Sequence, residues 1–424
     1  MKPIAISSPA SCGDGHAIQA LSVEAARQRL IAEVTPVSVS ESVALRSALG
    51  RVLAEDIHSP IDVPAHTNSA MDGYALRADD IPKLGAVSLR VIGSALAGAP
   101  FNGRVNPGEC LRIMTGAPLP AGADTVVMQE QVQRQGEYAQ IGAGHPRGDN
   151  VRAAGEDLAK GQLAIAAGRC IQPADLGLLA SLGRAEVRVT RRLRVAFFST
   201  GDELRSVGEA LTEGQIYDSN RYTLYGMLVR LGVEIIDMGV VRDDPAALRR
   251  AFIEAADAAD ALITSGGVSV GEADYVKETL DALGEIRFWR IAMKPGAPLA
   301  FGRVRDAAFF GLPGNPVSVM VTFYQFVEPA LRRMMGQSDP HPAAASFKLR
   351  CVSRLHKRAG RTEFQRGILE RDATGEWVVR ATGQQGSGIL RSMSTANCFV
   401  ILPQDSETVE PGSLVDVQPF YGIL

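Results

Sequence analysis

Between residues 186 and 336, short apolar β-branched runs alternate with stretches of helical periodicity, and that alternation restricts the fold more than any other feature of the chain. RVAFFST (194–200), VEIIDMGV (233–240) and ALITSGG (261–267) are short, mainly apolar runs, as strands covered on both faces tend to be. Between them, YDSNRYTLYGMLVRLG (217–232), PAALRRAFIEAADAAD (245–260) and ADYVKETLDALG (273–284) have helical spacing, and a further helix is expected from Pro316 to about Met335. Such repetition builds a parallel sheet with helices on both sides.

The rest of the chain follows other rules. Ser22 is placed to cap a helix carrying Val23, Ala26, Leu30, Ile31 and Val34 on one face. A second short helix, Ser42 to Leu49, is expected to stop at Gly50. SLRVIG, CLRIMTG and DTVVMQEQV, within 84–142, read as strands of a small β domain. Pro173 suits the first position of a helix ending near Gly183. After a Gly/Pro/Ser-rich linker at 336–346, FKLRCVSRL, TEFQRGIL, EWVVRAT, CFVILP and LVDVQPF predict a terminal β-barrel.

Composition excludes several classes of function. Lys and Arg number 44 against 47 Asp and Glu, so no basic excess drives nucleic-acid binding. No apolar run approaches the ~20 residues of a membrane span, and the N-terminus does not resemble a signal peptide. The five scattered cysteines lack zinc or redox spacing, which points to a reducing, cytoplasmic setting.

Ligands of open α/β sheets bind beyond the carboxyl ends of the strands. That rule selects STGDEL (199–204), VRDDP (241–245), SGGVSVGEADY (265–275), MKPGAP (293–298) and GLPGNPVS (311–318). Gly/Ser-rich loops entering helices present free backbone N–H groups to an anion, phosphate first. The substrate-binding candidates are therefore Ser199, Thr200 and Gly201 in the first loop, and Ser265, Gly266, Gly267, Ser269 and Gly271 in the third. Pro313, Gly314, Asn315 and Ser318 join them from the last loop. Neither a Walker A sequence nor the dinucleotide fingerprint is present.

Asp202, Glu203, Asp243, Asp244, Glu272 and Asp274 fall on the same edge. Carboxylates repel phosphate unless a cation stands between them, and oxygen-only ligands suit Mg²⁺. Asp244, before Pro245, reads as an N-cap, whereas Asp243 is freer; Asp274 and Glu203 fit either a metal role or a place at a helix start. Lys294, kept out of helical conformation by Pro295, is either a surface lysine or an oxyanion ligand. The six histidines show no metal-ligand spacing.

The motifs NSAMDGYA (68–75), RIMTGAPLP (112–120), RAAGEDL (152–158), FSTGDEL (198–204), GQIYDSN (214–220), RDDP (242–245), TSGGVSVGEADY (264–275), KPG (294–296) and GLPGNPVS (311–318) together resemble the molybdopterin molybdenumtransferases, bacterial MoeA and the gephyrin C-terminal domain. The resemblance spans about 22–420. It implies an elongated chain of class α/β plus β, with four domains. These are a discontinuous linking and dimerisation domain (22–61 and 147–185), an inserted β domain (62–146), a molybdopterin-binding α/β domain (186–336) and a C-terminal β-barrel (345–424). It further implies insertion of molybdate into adenylylated molybdopterin, with Mg²⁺ required and AMP released, in the cleft of a homodimer supplied by a molybdopterin adenylyltransferase. On that resemblance Asp72, Thr115 and Asp157 are catalytic groups from the partner-facing side. Glu203, Asp243 and Asp274 serve the Mg²⁺ and pyrophosphate, and Lys294, Arg366 and Ser387 receive molybdate.

Two departures stand out. Where the family has KPGKP, this chain has Ala297, which removes one charge-assisted contact, about 1.5–3 kcal/mol of anion affinity. Arg290 is the nearby cation that could replace it. His66 and Thr67 stand in place of the usual Phe-Asp before NSAMDGYA. The alternatives are a paralogue inserting another oxyanion such as tungstate, a non-catalytic molybdopterin-binding scaffold, and another phosphate-handling enzyme on a doubly wound sheet.

Overall fold

The structure is a computed structural model that describes residues 20–266, 275–339 and 346–420. The chain divides into two compact units, one formed by 42–189 and the other by the flanking segments up to 41 and from 190 onward.

The larger unit holds the α/β layer and the barrel. In chain order the layer comprises β1 (Arg194–Thr200), α1 (Ser219–Leu231), β2 (Glu234–Val241), α2 (Pro245–Ala258), β3 (Ala261–Ser265), α3 (Tyr275–Leu283), β4 (Gly284–Arg290), β5 (Pro298–Val304), β6 (Ala307–Leu312), α4 (Pro316–Thr322) and α5 (Glu328–Met334). The sheet order is β2-β1-β3-β6-β5-β4. β2, β1, β3 and β6 are parallel, while β5 runs against both β6 and β4. The apolar runs predicted a parallel sheet, and its central strands are parallel; the reversed β5 comes from a tight β5–β6 hairpin that leaves no room for a crossover helix.

Why α2 lies on one face follows from its sequence. Leu248, Ala251, Phe252, Ala255 and Ala256 recur at helical spacing and are all buried. Phe252 meets Phe198 of β1 at 5.2 Å and Phe309 of β6 at 5.7 Å between ring centroids, both edge-on. α1 covers the other face with Leu224, Met227, Leu228 and Leu231, and ends at Gly232, whose φ of +77° suits a glycine. The helix expected over 316–335 runs from Pro316 to Met334, with a π-turn at Phe323–Val327 between α4 and α5. Pro329 in the first turn of α5 has no N–H to donate back along the ladder, which accounts for the local π-turn.

The barrel contains β7 (Phe347–Cys351), β8 (Thr362–Arg371), β9 (Trp377–Ala381), β10 (Cys398–Leu402) and β11 (Leu414–Pro419). It closes in the order β8-β9-β7-β11-β10 and back to β8. A two-residue strand, Met293–Lys294, adds to β8 in parallel, placing Lys294 beside Glu363. Gly367 faces the interior, where a Cβ would meet Val379, Cys398 and Val400 within 2.9–3.0 Å.

The smaller unit has a six-stranded curled sheet, ordered Thr125–Met128, Gly73–Leu76, Glu109–Ile113, Ala86–Ala95, Tyr138–Gly142, Val132–Gln135. A separate core gathers Ala48, Leu53, Ile57, Ile165, Ile171, Leu179 and Val187, and includes the helix Pro173–Ser181. The helix expected from Ser42 to Leu49 is not formed. Ser40–Ala44 is a strand paired with Glu186–Thr190, followed by a 3-10 turn at Leu45–Ala48. Pairing across the chain and packing of Val43 against that core override a weak local helical pattern. Among the described residues, no helix is long and apolar enough to cross a membrane.

Candidate active site

β1, β2, β3, β4 and β6 point the same way, since β5 opposes both β4 and β6. The strands that lead into the five selected loops therefore all end at one edge of the sheet. A cavity of about 290 Å³ lies at the opposite edge, beside Arg191, Asp260 and Arg303, away from these loops.

The chain comes close to itself where β1 and β3 end. A Cβ on Gly266 would stand 2.6 Å from the Thr200 carbonyl oxygen, and φ there is +91°, so glycine is required twice over. Gly201 likewise lies beneath the Glu203 carboxylate, 2.5 Å from where a Cβ would be. Asn220, in the first turn of α1, ties two of the loops together. Its Nδ2 donates to Ser265 Oγ at 2.8 Å and to the Gly314 carbonyl at 2.7 Å.

Among the described residues, seven buried side-chain polar atoms lack a hydrogen-bond partner. Five of them, Ser199 Oγ, Thr200 Oγ1, Thr264 Oγ1, Asn220 Oδ1 and Asp218 Oδ2, sit at this edge. Buried polar atoms are otherwise nearly always paired, so such a concentration suits a polar ligand. Pro313 is buried while Gly314 and Asn315 are exposed at the entrance to α4, and Ser318 is buried one turn on. Gly267, Ser269, Gly271 and Asp274 lie outside the described residues.

Acidic groups crowd the same edge. Burial, then the charges of Asp202 and Glu203, push the Asp243 carboxyl above the usual aspartate range. Asp244 caps α2, its Oδ2 accepting from the Ala247 N–H at 2.8 Å, whereas the Asp243 carboxylate takes no hydrogen bond among the described residues. Among the described residues, no three His, Cys, Asp or Glu side chains form a ready metal cage. The donor set nevertheless fits Mg²⁺, which takes one or two carboxylates and fills its shell with water and phosphate oxygen.

At the border between the layer and the barrel, Arg366 is 1% exposed and has no carboxylate partner among the described residues. Its Nε donates to Ser392 Oγ at 3.0 Å and its Nη2 to the Gly386 carbonyl at 3.1 Å. Burial lowers its pKa to about 10, so it stays charged at neutral pH. Ser387 belongs to the same loop, and its carbonyl accepts from the Val317 N–H in the first turn of α4 at 3.1 Å. Arg366 and Ser387 are thus brought together beside α4. Lys294 is held elsewhere, its Nζ 3.5 Å from Glu363 Oε1. Its loop still packs on α4, because a Cβ on Gly296 would stand 2.6 Å from Thr322 Oγ1. Arg290 pairs with Pro298 across β4 and β5, one position from Ala297.

In the smaller unit, Asp72 Oδ1 accepts from both the N–H and the hydroxyl of Thr115, each at 2.7 Å. The two bonds hold the Asp72 carboxyl below its ordinary range. Asn68–Ser69 pairs with Val151–Arg152, which brings the RAAGEDL turn alongside. Asp157 in that turn is exposed, its N–H bonded to the Val63 carbonyl at 3.0 Å. Thr67 Oγ1 accepts from the Ala154 N–H at 3.3 Å, so the departure at this position has a local use.

Asn220, Asp218 and Glu363 were not singled out from the sequence. Asn220 and Asp218 fall inside the quoted GQIYDSN run, which was the available signal; Glu363 had none, because only pairing with Lys294 gives it a place.

Three family models match the chain: "MoeA N-terminal region (domain I and II)" over 21–183, "Probable molybdopterin binding domain" over 196–333, and "MoeA C-terminal region (domain IV)" over 348–420. A molybdopterin molybdenumtransferase of Haemophilus influenzae is 43% identical over 409 residues, covering 95% of this chain and 100% of the relative. One from Nostoc is 37% identical, covering 88% and 87%. The solved structure of a molybdopterin biosynthesis moeA protein from Pyrococcus horikoshii superposes with a TM-score of 0.82 at 29% identity, covering 95% of this chain and all of that one.

Proposed function

The chain belongs to the molybdopterin molybdenumtransferase family, and from that premise we propose how its residues divide the work. It is a transferase of molybdenum cofactor biosynthesis. Its substrates are molybdate and adenylylated molybdopterin, and its products are molybdenum cofactor and AMP.

The observation that carries this reading is the set of unpartnered polar atoms at the carboxyl edge. Ser199, Thr200, Asn220 and the glycines of the adjoining loops would take the phosphates and the polar pterin edge. Glu203, Asp243 and Asp274 would hold Mg²⁺, which when bound neutralises charge on the pyrophosphate. Arg366, Ser387 and Lys294 would orient the oxyanion, since a dianion calls for charged and hydroxyl donors. Asp72, Thr115 and Asp157 would come from the second subunit of a homodimer. The substrate is expected from a cytoplasmic adenylyltransferase.

The test is AMP release from adenylylated molybdopterin by the purified protein. Release that needs both Mg²⁺ and molybdate is expected. Retention of the pterin with no AMP formed would instead indicate a scaffold, and preference for tungstate would change the oxyanion assigned.

A further inference from the structure

Glu363 is an unusual neighbour for an oxyanion ligand. It is 5% exposed, and the pairing of Met293–Lys294 with β8 sets it directly beside Lys294. Its Oε1 stands 3.5 Å from Lys294 Nζ, and its Oε2 accepts from Gln365 Nε2 at 3.0 Å. The same Gln365 nitrogen donates to the His356 carbonyl at 3.0 Å, fixing the amide that fixes the carboxylate. Lys294, by contrast, has a half-exposed side chain.

Along β8, alternation sends Glu363, Gln365 and Gly367 to the barrel interior and Arg366 to the outer face. The ammonium of Lys294 is therefore drawn toward Glu363, while Arg366 and Ser387 meet beside α4 on the other side. Ala297 leaves no second lysine in this loop. Glu363 therefore offsets the charge of the one lysine this loop offers to a doubly charged ligand. Interactions with a buried carboxylate are poorly screened, so an approaching dianion feels Glu363 strongly.

We propose that Glu363 is a counter-charge, which competes with the oxyanion for Lys294 and holds down its affinity. The inference rests on the oxyanion role given to Lys294 above. A retained competitor also suits a ligand that must leave the subsite once transferred.

The test is equilibrium binding of inorganic molybdate, with tungstate and sulfate in parallel, to the wild type, Glu363→Gln, Lys294→Gln and the double variant. Glutamine keeps an oxygen for Gln365 and removes the charge. Glu363→Gln is expected to bind molybdate at least about tenfold more tightly than the wild type, and the gain is expected to vanish when Lys294 is also Gln. The same holds if only the variant binds measurably. Equal or weaker binding by Glu363→Gln, or a gain that survives Lys294→Gln, overturns the proposal. A fall in melting temperature with unchanged affinity does so too, by making Glu363 purely structural. If the wild type binds molybdate and the variant gains nothing, this inference alone fails; if neither binds, the oxyanion reading fails with it.

Discussion

Replacing Asp243 with Asn is expected to reduce Mg²⁺-dependent AMP release roughly a hundredfold or more, while the metal-free protein becomes slightly more stable. The two effects share one cause. Asp243 is partly withdrawn from water and faces Asp202 and Glu203, so its charged form is disfavoured in the folded chain. A carboxyl raised above its ordinary value costs stability once pH rises through that raised value, and the cost is absent below the ordinary aspartate range. At neutral pH the charge is a burden on the free protein, and Asn removes it. A divalent cation turns that burden into an attraction, which Asn cannot offer. Thermal melts with and without Mg²⁺ in the presence of substrate, together with turnover, check both halves. Full activity in Asp243→Asn would remove Asp243 from the metal-binding set.

Arg366→Met is expected to weaken molybdate binding by about tenfold to a hundredfold without loss of folding. A buried guanidinium with no carboxylate beside it among the described residues has been desolvated without repayment by an ion pair. Because burial lowers its pKa to about 10, the penalty is fully present at neutral pH and eases only as pH rises past that value. The wild type should therefore gain thermal stability on adding molybdate, and Arg366→Met should not. Loss of the bonds to Ser392 and Gly386 offsets part of the relief in the free variant. Arg366→Lys keeps a charge but not the planar fork, and it is expected to fall between the two. A variant that binds molybdate like the wild type would contradict the assignment.

Much of this architecture was readable before any coordinates. Apolar runs separated by helical spacing placed the layer, because strands buried on both faces have few other sequences available to them. The rule that ligands gather at the carboxyl ends of strands selected loops whose strands do end at one edge, and Asp244 proved to be the cap that its place before Pro245 suggested. One local reading failed where a distant partner decides. Ser40–Ala44 is extended because Glu186–Thr190 lies beside it, far along the chain. The helix from Pro316 formed as expected, with a π-turn just before Pro329, whose missing N–H was a signal present in the sequence. Glu363 shows the same limit at the site: nothing local reveals that a glutamate in TEFQRG is buried, or that a lysine 69 positions earlier lies against it. Asn220 is similar, since its amide acquires meaning only from two loops that close around it.

The central claim is that one sheet edge gathers phosphate, divalent cation and carboxylates together. Crystals grown with adenylylated molybdopterin and Mn²⁺ in place of Mg²⁺ test it through the anomalous signal of manganese. The expected result is a peak within bonding distance of Asp243 or Glu203 oxygens, with substrate phosphate completing its shell. Substrate bound at the opposite edge beside Arg191 and Asp260, or manganese remote from both carboxylates, would contradict the account.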